Sequence, residues 1–331
     1  MLERIIQKIS RVKRSIFYAN GIEKTLYKSG VNKAIVMYHG ITLESDVRFN
    51  NRFCPVVDFR TELNYFQKNF EILPVKEIFE SRPSKKKQIA ITFDDGYKNN
   101  FDYALPLLEE LKIPASFYIT GLNPHQIQAI WSDVVDIYSY FVKKFKFQNL
   151  IFEKEPNRKR LYCKEINQDI NHYTGFLSQE DKIKLMEELE IAARFKLSDK
   201  KDLSQFHLLM SDAEIKETAH SKYVTIGSHG TFHSHMGHIP IEQAVNELKY
   251  SKTYLENCTG KQVNEIAYPS GSYTKDLIEG AYQLGFHYQL AVDYQYEGDK
   301  ANNKIMDRIG LYNDRTVVEQ LHLVNQQLSK S

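Results

Sequence analysis

Cysteine, proline and glycine are all scarce in this chain, and each shortage closes a class of structure. The three cysteines among 331 residues, Cys54, Cys163 and Cys258, stand far apart with no Cys-x-x-Cys pair. That excludes a disulfide framework and a zinc ribbon, and it fits a reducing compartment. Fifteen glycines and nine prolines are too few for a collagen-like or low-complexity chain. No run approaches the ~18–20 uninterrupted apolar residues of a membrane span, and the N-terminus lacks the apolar core of a signal peptide. The expectation is a cytoplasmic protein. A strong charge of one sign is missing too. The formal net charge is +2, yet residues 1–33 hold eight Lys/Arg against two Glu, so the remainder is net acidic by four. A nucleic-acid binder needs a basic face on the body of its fold, so nucleic acid is not an expected partner. What is present is ordinary globular composition, 42% apolar and 26% charged, enough for two domains or one large α/β barrel.

Residues 1–33 form a basic N-terminal segment. At 100° per residue, Leu2, Ile5, Ile6, Ile9, Val12, Ile16 and Phe17 share one helical face, and Arg4, Lys8, Arg11 and Arg14 share the other. Such a helix packs on its own domain, or lies through residues 1–20 on an anionic membrane surface, here the inner face. Apolar runs at Ala34–Tyr38, Ile89–Phe93 and Ala115–Ile119 then alternate with helical stretches near Phe59–Asn69 and Asn99–Leu111. Strands alternating with helices signal a parallel sheet or barrel. The rhythm stops over 122–210. This segment reads as a mostly helical insertion and a candidate lid, with Trp131, Val134, Val135, Tyr138, Phe141, Val142 and Phe145 on one stripe and a charged helix around Gln179–Phe195. Ser211-Asp-Ala-Glu214 is a capping box opening a short helix. Beyond it Tyr223–Ile226, Asn264–Tyr268, Tyr288–Val292 and Arg308–Tyr312 resume the β/α rhythm. The expected fold is a deformed (β/α) barrel of about seven strands, built from 34–121 and 211–331.

Three segments carry chemistry. Asp94-Asp95-Gly96 follows the apolar run Ile89–Phe93, at the strand end where barrel enzymes gather catalytic groups. Adjacent carboxylates repel, so both stay ionised only with a cation or strong donors at hand; a solvated turn is the competing reading. Thr225-Ile-Gly-Ser-His229-Gly-Thr-Phe-His233 places two histidines four apart. If a helical turn follows the strand, both imidazoles share a face, and with one Asp they make an open three-ligand metal site. His235 and His238 are nearby alternatives. Tyr268-Pro269-Ser270-Gly271 is a sharp turn able to aim the Ser270 backbone N–H at a developing oxyanion, or merely a surface turn.

Together these segments resemble the polysaccharide deacetylase family, carbohydrate esterase family four, of the NodB-homology type. The family's Thr-Phe-Asp-Asp-Gly motif stands as Thr92-Phe93-Asp94-Asp95-Gly96, and its Ser-His-x-x-x-His motif as Ser228-His229 with His233. The resemblance implies a metal-dependent deacetylase acting on the N-acetyl group of a sugar in a bacterial surface polysaccharide or its precursor. It makes Asp94 the general base, and Asp95, His229 and His233 ligands of a divalent metal, usually Zn²⁺, with Co²⁺, Ni²⁺ or Mn²⁺ as alternatives. Tyr97, Tyr268 and Pro269 are candidate substrate-binding residues. The third motif's usual Arg is replaced by Ala267, and Arg308 is the candidate substitute. The general acid of most members, a His after a late strand, finds only His322 on a helical stretch. Ile35-Val36-Met37-Tyr38-His39 instead delivers His39 from a strand ahead of Asp-Asp-Gly, an order that resembles the circularly permuted deacetylases of biofilm poly-N-acetylglucosamine systems. The competing functions are a catalytically inactive carbohydrate-binding relative and an O-deacetylase of the same fold.

Overall fold

The computed structural model describes residues 33–80 and 86–328; the amphipathic stretch 1–20 lies outside them. Eight parallel strands form the principal sheet: β1 Lys33–Tyr38, β2 Gln88–Phe93, β3 Ala115–Ile119, β4 Val224–Ser228, β5 Glu265–Ala267, β6 Tyr288–Leu290, β7 Ile305–Met306 and β8 Ile309–Gly310, in the order β7-β6-β5-β4-β3-β2-β1-β8. A ninth short strand, Glu71–Ile72, pairs off β2. All seven expected strands are present. β7 was missed because two residues carry no periodicity. The two ends of this hydrogen-bonded path, β7 and β8, are separated in sequence by only Asp307 and Arg308. A sheet whose first and last strands are so tethered must curl round on itself, and it does so as a deformed (β/α) barrel.

Strand alternation sorts the side chains. Tyr38, Ile89, Ile91, Phe93, Phe117, Ile119, Ile226 and Ile266 join the main apolar core under the outer helices. The helix Val56–Asn69, for example, buries Phe59, Leu63 and Phe66. On the opposite face Ile35, Ala90, Tyr118, Ala267 and Leu290 form a smaller cluster, completed by Val75 and Ile78 of the short helix Val75–Glu80. Because successive residues alternate faces, the strand face that carries Ile35 and Ala90 also carries His39 and Asp94 past the strand ends. The sequence therefore delivers both through parity alone.

The insertion departs from expectation. Helices Trp131–Phe141 and Gln179–Ala193 are there, but between them residues 144–169 make a four-stranded antiparallel sheet: Lys144–Phe147, Leu150–Lys154, Leu161–Cys163 and Gln168–Asp169. Lys144-Phe-Lys-Phe147 alternates exposed and buried, a period-two signal that the helical stripe running into Phe145 concealed. Trp131, Val135, Tyr138, Phe145, Phe147, Phe152, Leu185 and Leu189 give the insertion its own core. A third cluster, with Phe49, Phe53, Tyr97, Ile130, Ile137 and Phe206, seats it on the barrel. The Ser211 capping box opens helix Asp212–His220. Among the described residues no helix is long and apolar enough to cross a membrane.

Candidate active site

Asp94 leaves β2 beside His39, and its N–H donates to the Tyr38 carbonyl at 3.1 Å. Both carboxylate oxygens accept from one guanidinium: Arg308 Nη1 at 2.6 Å and Nη2 at 2.8 Å. Arg308 Nε is fixed on the Ala291 carbonyl at 3.0 Å, and the whole group is buried. Burial pushes the Asp94 carboxyl up, but the Arg308 and His229 charges outweigh it and hold the carboxyl below its ordinary range. Ala267 supplies no charge. Its carbonyl accepts from His229 Nδ1 at 2.8 Å, which fixes the tautomer and turns Nε2 toward Asp95.

Asp95 is bent out of the strand by a left-handed backbone, φ +75°, uncommon and costly for a residue other than glycine. The bend carries its carboxylate away from Asp94, to 3.2 Å from Nε2 of both His229 and His233. His233 is also left-handed, φ +54°. The two histidines are brought together by an irregular loop over 229–235 rather than the helical turn the four-residue spacing suggested. Gly230, φ +70°, makes the turn, and a Cβ there would meet the Met236 methyl.

Neither oxygen of Asp95 has a conventional hydrogen-bond donor although both are buried, and buried His233 Nδ1 is likewise without a partner. An anion enclosed with two imidazole nitrogens and no amide or hydroxyl donor is incompletely satisfied. A divalent cation would complete it, and one carboxylate with two imidazoles is a donor set suited to zinc and its neighbours. Among the described residues this is the group of three ligands whose donor atoms lie within 4.8 Å of one another. His235 and His238 pack instead on Phe176, at ring distances of 5.4 and 4.9 Å.

His39 lies within electrostatic reach of this centre. Burial pushes its imidazole from the ordinary value near 6.5 down to about 4, against the pull of Asp95 and Asp94. Its ring packs near Tyr312 at 5.9 Å. His322 sits on the helix Val317–Gln327. Ser270 is exposed at the tip of its turn with φ +53°, and Pro269 lies against Gly230 of the histidine loop.

The candidate substrate-binding residues Tyr97, Tyr268 and Pro269 are buried. The Tyr97 hydroxyl donates to Asp133 at 2.7 Å, and that of Tyr268 to Gln289 at 2.6 Å. Conversely, the sequence reading passed over Arg52. It is paired with Asp133 and lies 3.5 Å from Asp136, which Arg160 also holds at 2.5 and 2.9 Å. No motif marks Arg52, because its partners are some eighty residues away.

The polysaccharide deacetylase family model matches residues 81–140 and 156–289. Over 92 residues the chain is 28% identical to YxkH of Bacillus subtilis (strain 168), a match spanning 26% of this chain and about a third of that protein. Among solved structures it is similar to the Streptococcus pyogenes deacetylase PplD, solved in complex with acetate (TM-score 0.56, 16% identity, 92% of this chain and 100% of that one). It is also similar to IcaB from Ammonifex degensii (0.54, 15%, 91% and 99%) and to the Bacillus cereus polysaccharide deacetylase BC0361 (0.53, 20%, 90% and 69%). At those identities the structures speak for the fold, while the family model, matching more than half of the sequence, speaks for descent. The chain belongs to the polysaccharide deacetylase family.

Proposed function

We propose that the protein hydrolyses the N-acetyl group of a sugar in a bacterial surface polysaccharide or its precursor. The observation that carries this reading is the divergence of two adjacent aspartates, one locked by a guanidinium and the other turned toward two imidazoles. When bound by Asp95, His229 and His233, a divalent ion, zinc in the first instance, supplies Lewis acidity and a water of lowered pKa. Asp94 accepts the proton of the attacking water. Arg308 keeps that carboxylate ionised and fixes the direction of its free lone pairs. The Ser270 backbone N–H, at the tip of its turn, is assigned to the developing oxyanion. An amide nitrogen leaves only when protonated, and His39 is assigned to deliver that proton. Because burial keeps His39 neutral, the water proton accepted by Asp94 is passed on to His39, which then gives it to the departing nitrogen. The strand bearing His39 precedes the Asp-Asp-Gly strand and pairs with it in parallel, which supports His39 as the acid.

The test incubates metal-loaded protein with N-acetylhexosamine oligosaccharides, nucleotide- or lipid-linked N-acetyl sugars and their O-acetylated counterparts, and measures acetate. Release from N-acetylated members supports the proposal. Release from O-acetylated members alone makes it an O-deacetylase, and none from any leaves a carbohydrate-binding relative.

A further inference from the structure

The first helix of the insertion, Trp131–Phe141, touches both loops that carry the metal ligands. Near its start the Trp131 indole Nε1–H donates to the backbone carbonyl of His233 at 3.0 Å, fastening the residue whose φ is +54°. One half-turn on, Asp133 accepts from the hydroxyl of Tyr97 at 2.7 Å, two residues after Asp95, whose φ is +75°. The other oxygen of Asp133 is paired with Arg52, and all of Trp131, Asp133 and Tyr97 are buried. The helix itself is held from behind by Arg160 on Asp136 and by Asn171, which donates to the Ser132 carbonyl at 2.9 Å and to Asp136 at 2.7 Å.

Two ligand residues in costly backbone conformations persist only where their surroundings over-determine them. These contacts supply that constraint from outside the barrel. We infer that Trp131 and Asp133 are positioning residues of the metal centre: the insertion is a strut that sets the distance between the Asp95 loop and the His233 loop, rather than a lid laid over a finished site. The inference rests on Asp95, His229 and His233 holding a metal, and it deepens that reading by saying what holds the ligands. Groups that orient metal ligands through hydrogen bonds typically contribute about 10- to 100-fold to metal affinity, so the effect is measurable without any substrate.

The experiment titrates metal-free full-length protein with Zn²⁺ against a competing chelator, and records the melting temperature of the metal-free state. Wild type is measured first, because absence of Zn²⁺ binding there defeats the metal assignment itself. Trp131→Phe keeps an aromatic filler but removes the indole donor, and Tyr97→Phe removes only the hydroxyl on Asp133. Tyr138→Phe is the control. It lies on the same helix, and its hydroxyl serves only the interior of the insertion, donating to Glu190 at 2.7 Å and accepting from the Leu197 N–H at 3.1 Å. We expect Trp131→Phe to weaken Zn²⁺ binding by about 10- to 100-fold and Tyr97→Phe by up to about 10-fold, with Tyr138→Phe within about twofold of wild type. Unchanged affinity in both Trp131→Phe and Tyr97→Phe, whatever happens to the melting temperature, overturns the inference. Equal weakening by Tyr138→Phe also overturns it, since loosening the insertion anywhere would then suffice.

Discussion

The barrel and the insertion build the same site by opposite means. In the barrel, Asp94 and His39 sit just past the ends of their own strands, and strand parity aims them. Asp94 and His39 need only the alternation of β2 and β1 to arrive on one face. Where the insertion meets the barrel, the contacts are not aimed by strand parity. Asp133 meets Tyr97 and Arg52, and Trp131 meets the His233 carbonyl, through side chains brought from distant points of the chain. Groups that touch reacting atoms are restricted in type by the chemistry, whereas groups that hold a loop in place need only offer a donor or acceptor at the right point. The first kind is therefore readable and the second is not.

The sharpest way to break this comparison is to remove the chemistry while leaving the scaffold. Asp95→Ala, His229→Ala and His233→Ala should each lose metal content and activity together. Asp94→Asn and His39→Ala should each keep full metal occupancy and lose about 10²–10⁴-fold in kcat, the usual contribution of positioned acid–base groups. Near-normal turnover in His39→Ala with collapse in His322→Ala would move the acid to the other end of the chain.

Arg308→Ala tests the barrel's own internal support. It leaves Asp94 buried and uncompensated, which costs about 3–5 kcal/mol for a broken buried pair, read as a lowered midpoint in denaturant unfolding. Arg308→Lys restores the charge but not the two-pronged contact, so stability should recover further than kcat does. Equal recovery of both would reduce the guanidinium to a counter-charge.

A smaller effect separates unpaired from paired burial. In the insertion the buried Asp133 faces Arg52. Among the described contacts of the barrel, buried Glu62 receives only neutral donors, Tyr38 Oη at 2.5 Å and Gln320 Nε2 at 3.1 Å, and burial pushes its carboxyl up to about 8. The folded state thus holds a proton that the unfolded chain releases near pH 4. The stabilisation is complete below that value and is lost as pH rises through about 8. Glu62→Gln should flatten this decline in a series of melting temperatures from pH 4 to 9, and an unaltered slope would show that Glu62 is ionised. The smallest expected effect concerns the basic N-terminal stretch. If residues 1–20 reach an anionic membrane, their removal should abolish a vesicle association that already weakens as salt shortens the Debye length toward about 8 Å near 0.15 M. Unchanged association without them would end that idea.

Much of the barrel was legible because parallel strands covered on both faces read as continuous apolar runs, as Gln88-Ile-Ala-Ile-Thr-Phe93 does with every residue buried. The three residues that could hold a metal, Asp95, His229 and His233, were legible because two motifs lie at two strand ends. What hid the rest was physical. A two-residue strand has no period, an alternating Lys-Phe-Lys-Phe run can borrow the phase of a preceding helix, and a tyrosine beside a catalytic motif looks the same whether its ring meets a sugar or the core. The left-handed turns at Asp95, His233 and Ser270 are equally silent in sequence, since none of them uses glycine.

Arg308 occupies the two-residue join between the first and last strands of the curled sheet, and from there it grips both the Ala291 carbonyl, just past β6, and the Asp94 carboxylate, just past β2. Asp94 is thus clasped by the buckle of the ring. A molecule whose ring has not yet shut holds Asp94 without the two-pronged contact that fixes the direction of its free lone pairs. If Asp94 is the base, activity should return during refolding only once the Arg308–Asp94 pair has formed, and never ahead of it.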